Sequence, residues 1–344
     1  MDVNIFELKG KKKKSKIILG ELFENILHYT DDRELFIITD VNVSKLYSDK
    51  FPDAKVFVIG IGETVKTFET VNAIYAQLVN INFDRQGCIL GIGGGIVCDI
   101  TGFVASTYMR GLSFGLIPTT LLAQVDASIG GKNGYNFCNY KNMIGTFNQP
   151  DFVLSDFMFL KTLELDELKN GIAETIKHSL IGDSKLYELL LKQSDEILSY
   201  DLAILKDLIT KSVKVKLDIV DRDELEKDER KKLNFGHTLG HAVELYEGIS
   251  HGNAVSIGMA FSSAVSLQYG YIKKSVYEGI IKLIDLYKLP TGTKTSTRQL
   301  IKNMTKDKKR QNDGVDFILL KGVGQAFIKN INYNNLESLL DDLR

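Results

Sequence analysis

The chain has 344 residues, more than one hydrophobic core usually organises, so two domains are expected. Apolar residues make up 44% and charged residues 25%, and the formal charge is −1. That balance argues against a dedicated nucleic-acid or membrane-surface binder, since those present a net basic field. The first residues carry an early acid and no apolar stretch, and no run approaches the roughly 18 apolar residues of a membrane span. Three cysteines, Cys88, Cys98 and Cys138, lack metal-type spacing and suit a reducing compartment. The expectation is a cytoplasmic protein.

Four lysines, Lys11 to Lys14, read as a solvated turn before the first apolar run. Short β-type runs follow at 15–19, 34–39, 55–59, 88–92, 114–117 and 151–154, and read as buried strands of a mostly parallel sheet. Between the third and fourth, Val65, Phe68, Val71, Ile74, Leu78 and Ile81 recur at helical spacing. Beyond about residue 155 the period becomes helical, at 202–220, 236–247, 252–269 and 273–287, with strands only at 317–320 and 326–328. The fold expected is an α/β, Rossmann-like nucleotide domain over 1–151, then a mainly α-helical domain over 152–344. In such sheets ligands sit beyond the carboxyl ends of the strands, here in the cleft between the domains.

The fourth strand runs directly into Gly93, Gly94 and Gly95 and then a helix carrying Asp99 on its first turns. Glycines let the backbone approach a pyrophosphate, and a helix N-terminus offers oriented N–H donors. The turn departs from the G-x-G-x-x-G pattern, so alone it is equally a tight βα turn. Downstream, Lys132, Lys141 and Asn142 fall among glycines in a stretch that reads as loop and suits phosphate.

In the second half His237 and His241 share a helix face, His251 follows at the next helix start, and Glu174 and Lys177 share a face far upstream. Three imidazoles and a carboxylate suit Zn²⁺ or Co²⁺. His178 points off the Glu174 face and reads as structural. Lys216, Arg230, Asn234 and the run 307–310 would each be surface groups taken alone.

The strings GGGIVCDITGF, RGLSFGLIPTTLLAQVDASIGGKNGYN, YKNMIGTFNQP, GIAETIKH, LNFGHTLGHAVE, HGNAVSIGM and DKKRQNDG, within residues 91–314, resemble in order the signature blocks of the 3-dehydroquinate synthase family, a branch of the sugar-phosphate cyclases. The resemblance implies a dehydroquinate synthase-like fold whose C-terminal domain binds metal and substrate. It implies that Glu174, His237 and His251 hold one divalent ion. NAD would meet Gly62, Glu63, Thr64, Lys66, Gly94, Gly95, Ile96, Val97, Asp99, Thr119, Thr120, Phe159, Leu160, Lys161 and Thr162. Lys132 and Lys141 would lie nearby, and Asp40 and Asn42 match more loosely. The substrate phosphate would meet Lys132, Asn142, Asn234, His241 and one of Lys308 and Lys309. Arg110 would reach the neighbouring site of a homodimer. Lys216 and Arg230 would hold a carboxylate, while Asp99 and Lys177 orient hydroxyls. Cys98 and Ala127 depart from the usual small residue and serine.

The activity so implied is that of a carbon–oxygen lyase. It converts 3-deoxy-D-arabino-heptulosonate 7-phosphate to 3-dehydroquinate and phosphate by transient NAD-dependent oxidation, elimination, reduction and aldol closure. The alternatives are another sugar-phosphate cyclase, whose ketose substrate lacks the carboxylate that Lys216 and Arg230 suit, and a metal-dependent polyol or alcohol dehydrogenase, which needs no phosphate lysines.

Overall fold

The computed structural model describes residues 3–11, 13–138, 140–306 and 314–342, and the chain divides into two compact units, 1–163 and 164–344. The first contains β1 (Asn4–Lys9), β2 (Lys14–Leu19), β3 (Leu35–Asp40), α1 (Val41–Tyr47), β4 (Lys55–Ile59), α2 (Phe68–Asn80), β5 (Cys88–Gly93), α3 (Gly95–Thr107), β6 (Ser113–Pro118), β7 (Lys132–Phe137), β8 (Tyr140–Phe147) and β9 (Phe152–Ser155). Seven strands form one sheet in the order β1-β2-β9-β6-β5-β3-β4. All neighbours are parallel except β1 and β2. Every residue of β5 and β9 is buried, which is why these strands read as unbroken apolar runs. Because β9 hydrogen-bonds with β2 and β6, it belongs to this sheet, and the first unit runs on to Leu163 rather than ending at 151.

Four expectations need correction. Strand β4 is a sheet edge, so Val56 and Val58 are exposed rather than buried. Helix α2 starts at Phe68, not 65, because the Thr67 hydroxyl caps it by accepting from the Thr70 amide (3.4 Å) while Val65 closes a separate short turn. Lys13 is no solvated turn residue: its ammonium pairs with Asp151 at 2.9 Å and lies 4.9 Å from the centre of the Phe114 ring. The stretch from Lys132 is not a loop. It forms the antiparallel ladder β7–β8, in which Gly134 faces Gly145 and a Cβ on Gly134 would lie 2.4 Å from the Ile144 carbonyl oxygen. A ladder that needs glycine on both strands carries no apolar period to read.

The second unit contains α4 (Leu165–Gly182), α5 (Ser184–Lys192), α6 (Ser194–Leu198), α7 (Leu202–Arg222), α8 (His237–Glu247), α9 (His251–Gln268), α10 (Lys274–Leu286), α11 (Thr297–Lys306), the hairpin β10 (Gly314–Gly322) and β11 (Gln325–Asn332), and α12 (Tyr333–Asp342). Its core joins Leu239 and Val243 of α8, Ile257 and Phe261 of α9, and Phe317 and Leu319 of β10. Each such side chain contributes roughly 1.5–3 kcal/mol by leaving water. Helices α8 and α9 meet through glycine: a Cβ on Gly240 would come 2.9 Å from the Ala254 carbonyl oxygen. That close approach sets the His237 and His241 rings of α8 beside His251 at the start of α9. Among the described residues no helix is long and apolar enough to cross a membrane.

Candidate active-site residues in each unit

In the first unit the glycine turn is built by exclusion. A Cβ on Gly93 would lie 2.5 Å from Val97 Cγ2, and one on Gly94 would lie 3.2 Å from Thr120 Cγ2. Helix α3 begins at Gly95 with no side chain capping its first amides. Oriented, uncapped N–H donors over a surface stripped of side chains fit a pyrophosphate. Thr119 is fastened to the same turn, its amide donating to the Gly93 carbonyl at 3.0 Å. Val97 and Cys98 point into the core instead, where burial pushes the Cys98 thiol pKa upward. The methyl of Ala127 is 3.2 Å from the place a Gly95 Cβ would take, so the departures at 98 and 127 concern packing.

A network on Lys66 gathers several predicted residues. Its nearly buried ammonium donates to Asp99 Oδ2 and to Asn142 Oδ1, each at 2.5 Å. Asn142, at φ 52°, receives an anchor from Asn136, whose Oδ1 accepts from the Asn142 amide at 2.9 Å. Asn136 Nδ2 in turn donates to Glu63 Oε1 at 2.7 Å, and its backbone amide to the Lys66 carbonyl at 2.9 Å. The segment from Gly62 to Lys66, helix α3 and the β7–β8 ladder are thus tied at one point. Asn136 was not singled out by sequence; a polar residue two before a turn gave no signal. Lys132 and Lys141 sit on the same ladder and are exposed.

Asp40 caps α1, accepting from the Asn42 and Val43 amides at 2.9 and 3.0 Å. The side chains of Phe159 and Leu160 are buried, so only their backbone is left to face a ligand. Tyr47, unmarked by sequence, joins these places: its ring meets Phe159 edge-on at 4.8 Å and its hydroxyl lies 2.6 Å from Thr162 Oγ1. Lys161 is exposed. Arg110, at φ 67°, lines a different pocket of about 530 Å³ with Lys13, Arg85, Ser113 and Asp151, to which no glycine-turn residue contributes.

In the second unit the predicted set converges. Glu174 and Lys177, one turn apart on α4, are almost wholly buried, and the Lys177 ammonium pairs with Glu174 Oε2. The other oxygen, Oε1, faces His237 Nε2 at 3.4 Å and His251 Nε2 at 3.1 Å. His237 Nδ1 lies 3.2 Å from the Phe235 carbonyl, which makes Nδ1 the protonated nitrogen and turns the Nε2 lone pair toward the carboxylate. Burial, with the charges of Lys177 and the neighbouring imidazoles, depresses the His237 pKa to about 3, against the pull of Glu174. Burial also acts to lower His251, but hydrogen bonds and charge from Glu174 and Glu244 outweigh it and raise its pKa to about 9. Two acceptors facing each other at 3.4 Å call for a cation between them. Ligands held about 2.0–2.2 Å from a tetrahedral ion stand about 3.3 Å apart, close to both distances here. The donor set therefore fits a divalent ion such as Zn²⁺.

His241 completes the triangle of imidazoles, with ring centres 5.2 Å from His237 and 6.3 Å from His251. Being exposed, it is placed to meet a ligand. Lys216 on α7 and Arg230 are buried, and the turn Glu229–Asn234 packs on α7. Arg230 is held by Asp223, which accepts its amide at 3.1 Å, and by the Glu224 carbonyl, which accepts from Nη1. Asn234 Nδ2 donates to Glu226 Oε1 at 2.6 Å. Glu226 and Glu244 were passed over in the sequence, the first inside a dense charge run, the second although it stands two turns from His237 on one helix face. His178 is buried and hydrogen-bonded to Ser212 Oγ at 2.7 Å, a packing role. Lys308 and Lys309 lie outside the described residues.

The chain matches the model described as 3-dehydroquinate synthase N-terminal over residues 56–170 and that described as 3-dehydroquinate synthase C-terminal over 171–310. It is 39% identical over 334 residues to the 3-dehydroquinate synthase of Thermoanaerobacter pseudethanolicus, covering 94% of this chain and 93% of the relative. With that of Saccharolobus solfataricus it shares 44% over 266 residues, covering 74% and 75%. Among solved structures, ValA, a 2-epi-5-epi-valiolone synthase from Streptomyces hygroscopicus subsp. jinggangensis with NAD⁺ and Zn²⁺ bound, superposes with a TM-score of 0.89 at 26% identity over 97% of this chain and 98% of that one. The glycine turn, the Lys66 network and the carboxylate–imidazole cluster thus stand in a chain that belongs to the 3-dehydroquinate synthase family.

Proposed function

We propose that this protein is a 3-dehydroquinate synthase, turning 3-deoxy-D-arabino-heptulosonate 7-phosphate into 3-dehydroquinate and phosphate. NAD and one divalent ion are its resident cofactors, and it works as a homodimer. One observation carries the reading: a buried carboxylate oxygen faces two imidazole Nε2 atoms at 3.1 and 3.4 Å, in a chain that matches this family in both halves. The NAD⁺ and Zn²⁺ in the valiolone synthase support the cofactor choice.

Glu174, His237 and His251 would hold the ion, and the glycine turn with the Lys66 network would hold NAD. When bound, NAD⁺ takes up and returns a hydride, and the ion polarises substrate hydroxyls. The chain's own groups do the rest. The Arg230 guanidinium and the Lys216 ammonium fix the carboxylate, bidentate pairing giving orientation as well as affinity. Lys132, Asn142, Asn234 and His241 bind the phosphate, and their donors stabilise its charge as the C–O bond breaks. An oxygen of the departing phosphate takes the proton from the adjacent carbon, so elimination needs no separate protein base. Asp99, oriented by Lys66, and Lys177, oriented by Glu174, align hydroxyls. Arg110 reaches the partner's phosphate, in keeping with its place on a separate pocket.

Lys216 and Arg230 favour this substrate over a ketose phosphate, because two buried cationic side chains suit a carboxylate, which a ketose phosphate lacks. The test is phosphate release from the keto-acid phosphate before and after exhaustive chelation. Activity should vanish and return with Zn²⁺ or Co²⁺; full activity in the chelated protein would refute the assignment.

A further inference from the structure

We infer that Glu244 is a positioning residue for the cation site. Its carboxylate anchors Nδ1 of His251, so that Nε2 is presented to the ion beside Glu174. The inference rests on the reading of Glu174, His237 and His251 as cation ligands.

The geometry treats the two imidazoles alike. His237 has Nδ1 on the Phe235 carbonyl at 3.2 Å and Nε2 on Glu174 Oε1 at 3.4 Å. His251 has Nδ1 facing Glu244 Oε2 at 3.6 Å and Nε2 on the same Glu174 oxygen at 3.1 Å. Each ring is bracketed by an acceptor at either end, and the acceptor at Nδ1 decides which nitrogen keeps its lone pair for a metal. The difference lies in what supplies it. His237 follows its own backbone turn closely enough to use a carbonyl. His251 opens α9 with a side chain 32% exposed, and its anchor comes from α8. That reach depends on the glycine contact of the two helices, where Gly240 abuts Ala254 and Val255.

The acid is also the right kind of acceptor. Lys177 already neutralises Glu174 through Oε2, so the set without Glu244 would offer a divalent ion little net negative charge. Glu244, only 10% exposed, restores one anionic charge next to the ligand ring without being a ligand of the Glu174 group. A merely structural role is what Glu247 has on the same helix: its Oε1 accepts from Thr293, Lys294 and Thr295 and holds their loop. Glu244 instead points at two imidazoles, its oxygen lying within 4.8 Å of ring nitrogens of His241 and His251.

The test is Co²⁺ binding to the full chain, read by chelator competition and by the visible absorption of the bound ion, both independent of turnover. Glu244→Ala should weaken binding about 10–100-fold and shift the absorption, as loss of an anchoring group outside the ligand set does. Glu244→Gln keeps an acceptor without charge and should fall in between. Glu247→Ala should bind like the wild type, and His237→Ala should lose the ion. A Glu244→Ala protein with native far-UV circular dichroism and wild-type affinity would overturn the inference while leaving the ligand assignment intact. If that variant does not fold, wild-type affinity in Glu244→Gln overturns it equally. Equal weakening in Glu247→Ala would assign the effect to helix α8 as a whole and also refute it. Two ions per chain, one of them lost with Glu244, would make Glu244 a ligand instead. A wild type that takes up no Co²⁺ would refute both readings.

Discussion

The two units prepare their sites by opposite means. In the first, the glycine turn depends on missing atoms: uncapped amides at the start of α3 and no room for a Cβ at Gly93. In the second, the site is made of side chains brought from α4, α8 and α9, with a carboxylate and an ammonium almost fully buried against each other. A site built on backbone is damaged by adding atoms, and a site built on buried charge by removing them. The second damage should be larger, because a lost partner leaves its counter-charge in a dry place.

The sharpest contrast is therefore Glu174→Ala. It removes the carboxylate from a Lys177 that is 1% exposed, and should cost about 3–5 kcal/mol of stability in urea unfolding, along with all cation binding. His237→Ala should abolish the ion but leave stability within about 1–2 kcal/mol, since no buried charge is stranded. If both variants lose equal stability, the buried pair is not what distinguishes this unit. Next comes Arg230→Ala, expected to lower kcat/KM by about 2–4 kcal/mol through lost carboxylate binding. Wild-type kinetics there would reopen the reading of a ketose-phosphate cyclase.

On the other side of the comparison, Gly93→Ala adds a methyl 2.5 Å from Val97 Cγ2. The clash should cost about 1–3 kcal/mol and raise the KM for NAD more than that for the sugar phosphate. Equal rises in both would mean that the turn serves the fold and not the cofactor. The smallest effect concerns the thiols. Cys88 is buried, its pKa pushed up to about 12, and Cys98 is raised further, whereas Cys138 is exposed. A thiol reagent should label one cysteine in the native protein, identified by mass spectrometry as Cys138, and three after unfolding.

The same contrast decides what could be read without coordinates. Strands β5, β6 and β9 were legible because both their faces are covered, which writes an unbroken apolar run. The β7–β8 ladder was not, since it pairs glycine against glycine and mixes polar and apolar side chains without a regular alternation. Glu174, His237, His241 and His251 were visible as metal-binding types, two of them four apart on one helix, while the choice of Glu174, His237 and His251 as the ligands came only with the family resemblance. Glu244, Glu226 and Asn136 were hidden, because a residue that orients another has no chemistry of its own to advertise. Glu244 could still have been found: it continues the stripe of His237 and His241 along α8. Tyr47 could not, since only the tertiary fold brings its hydroxyl to Thr162.

In the proposed cyclase the nicotinamide ends each turnover as it began, and one recording shows whether it does. Phosphate release and NADH absorbance are followed together on the keto-acid phosphate, with NAD⁺ at the enzyme's own concentration. Many phosphates should be released per NAD⁺, with no steady rise in NADH, and that release should be lost in His241→Ala. NADH accumulating in step with substrate consumed, without phosphate release, would contradict it and place this protein with the polyol dehydrogenases.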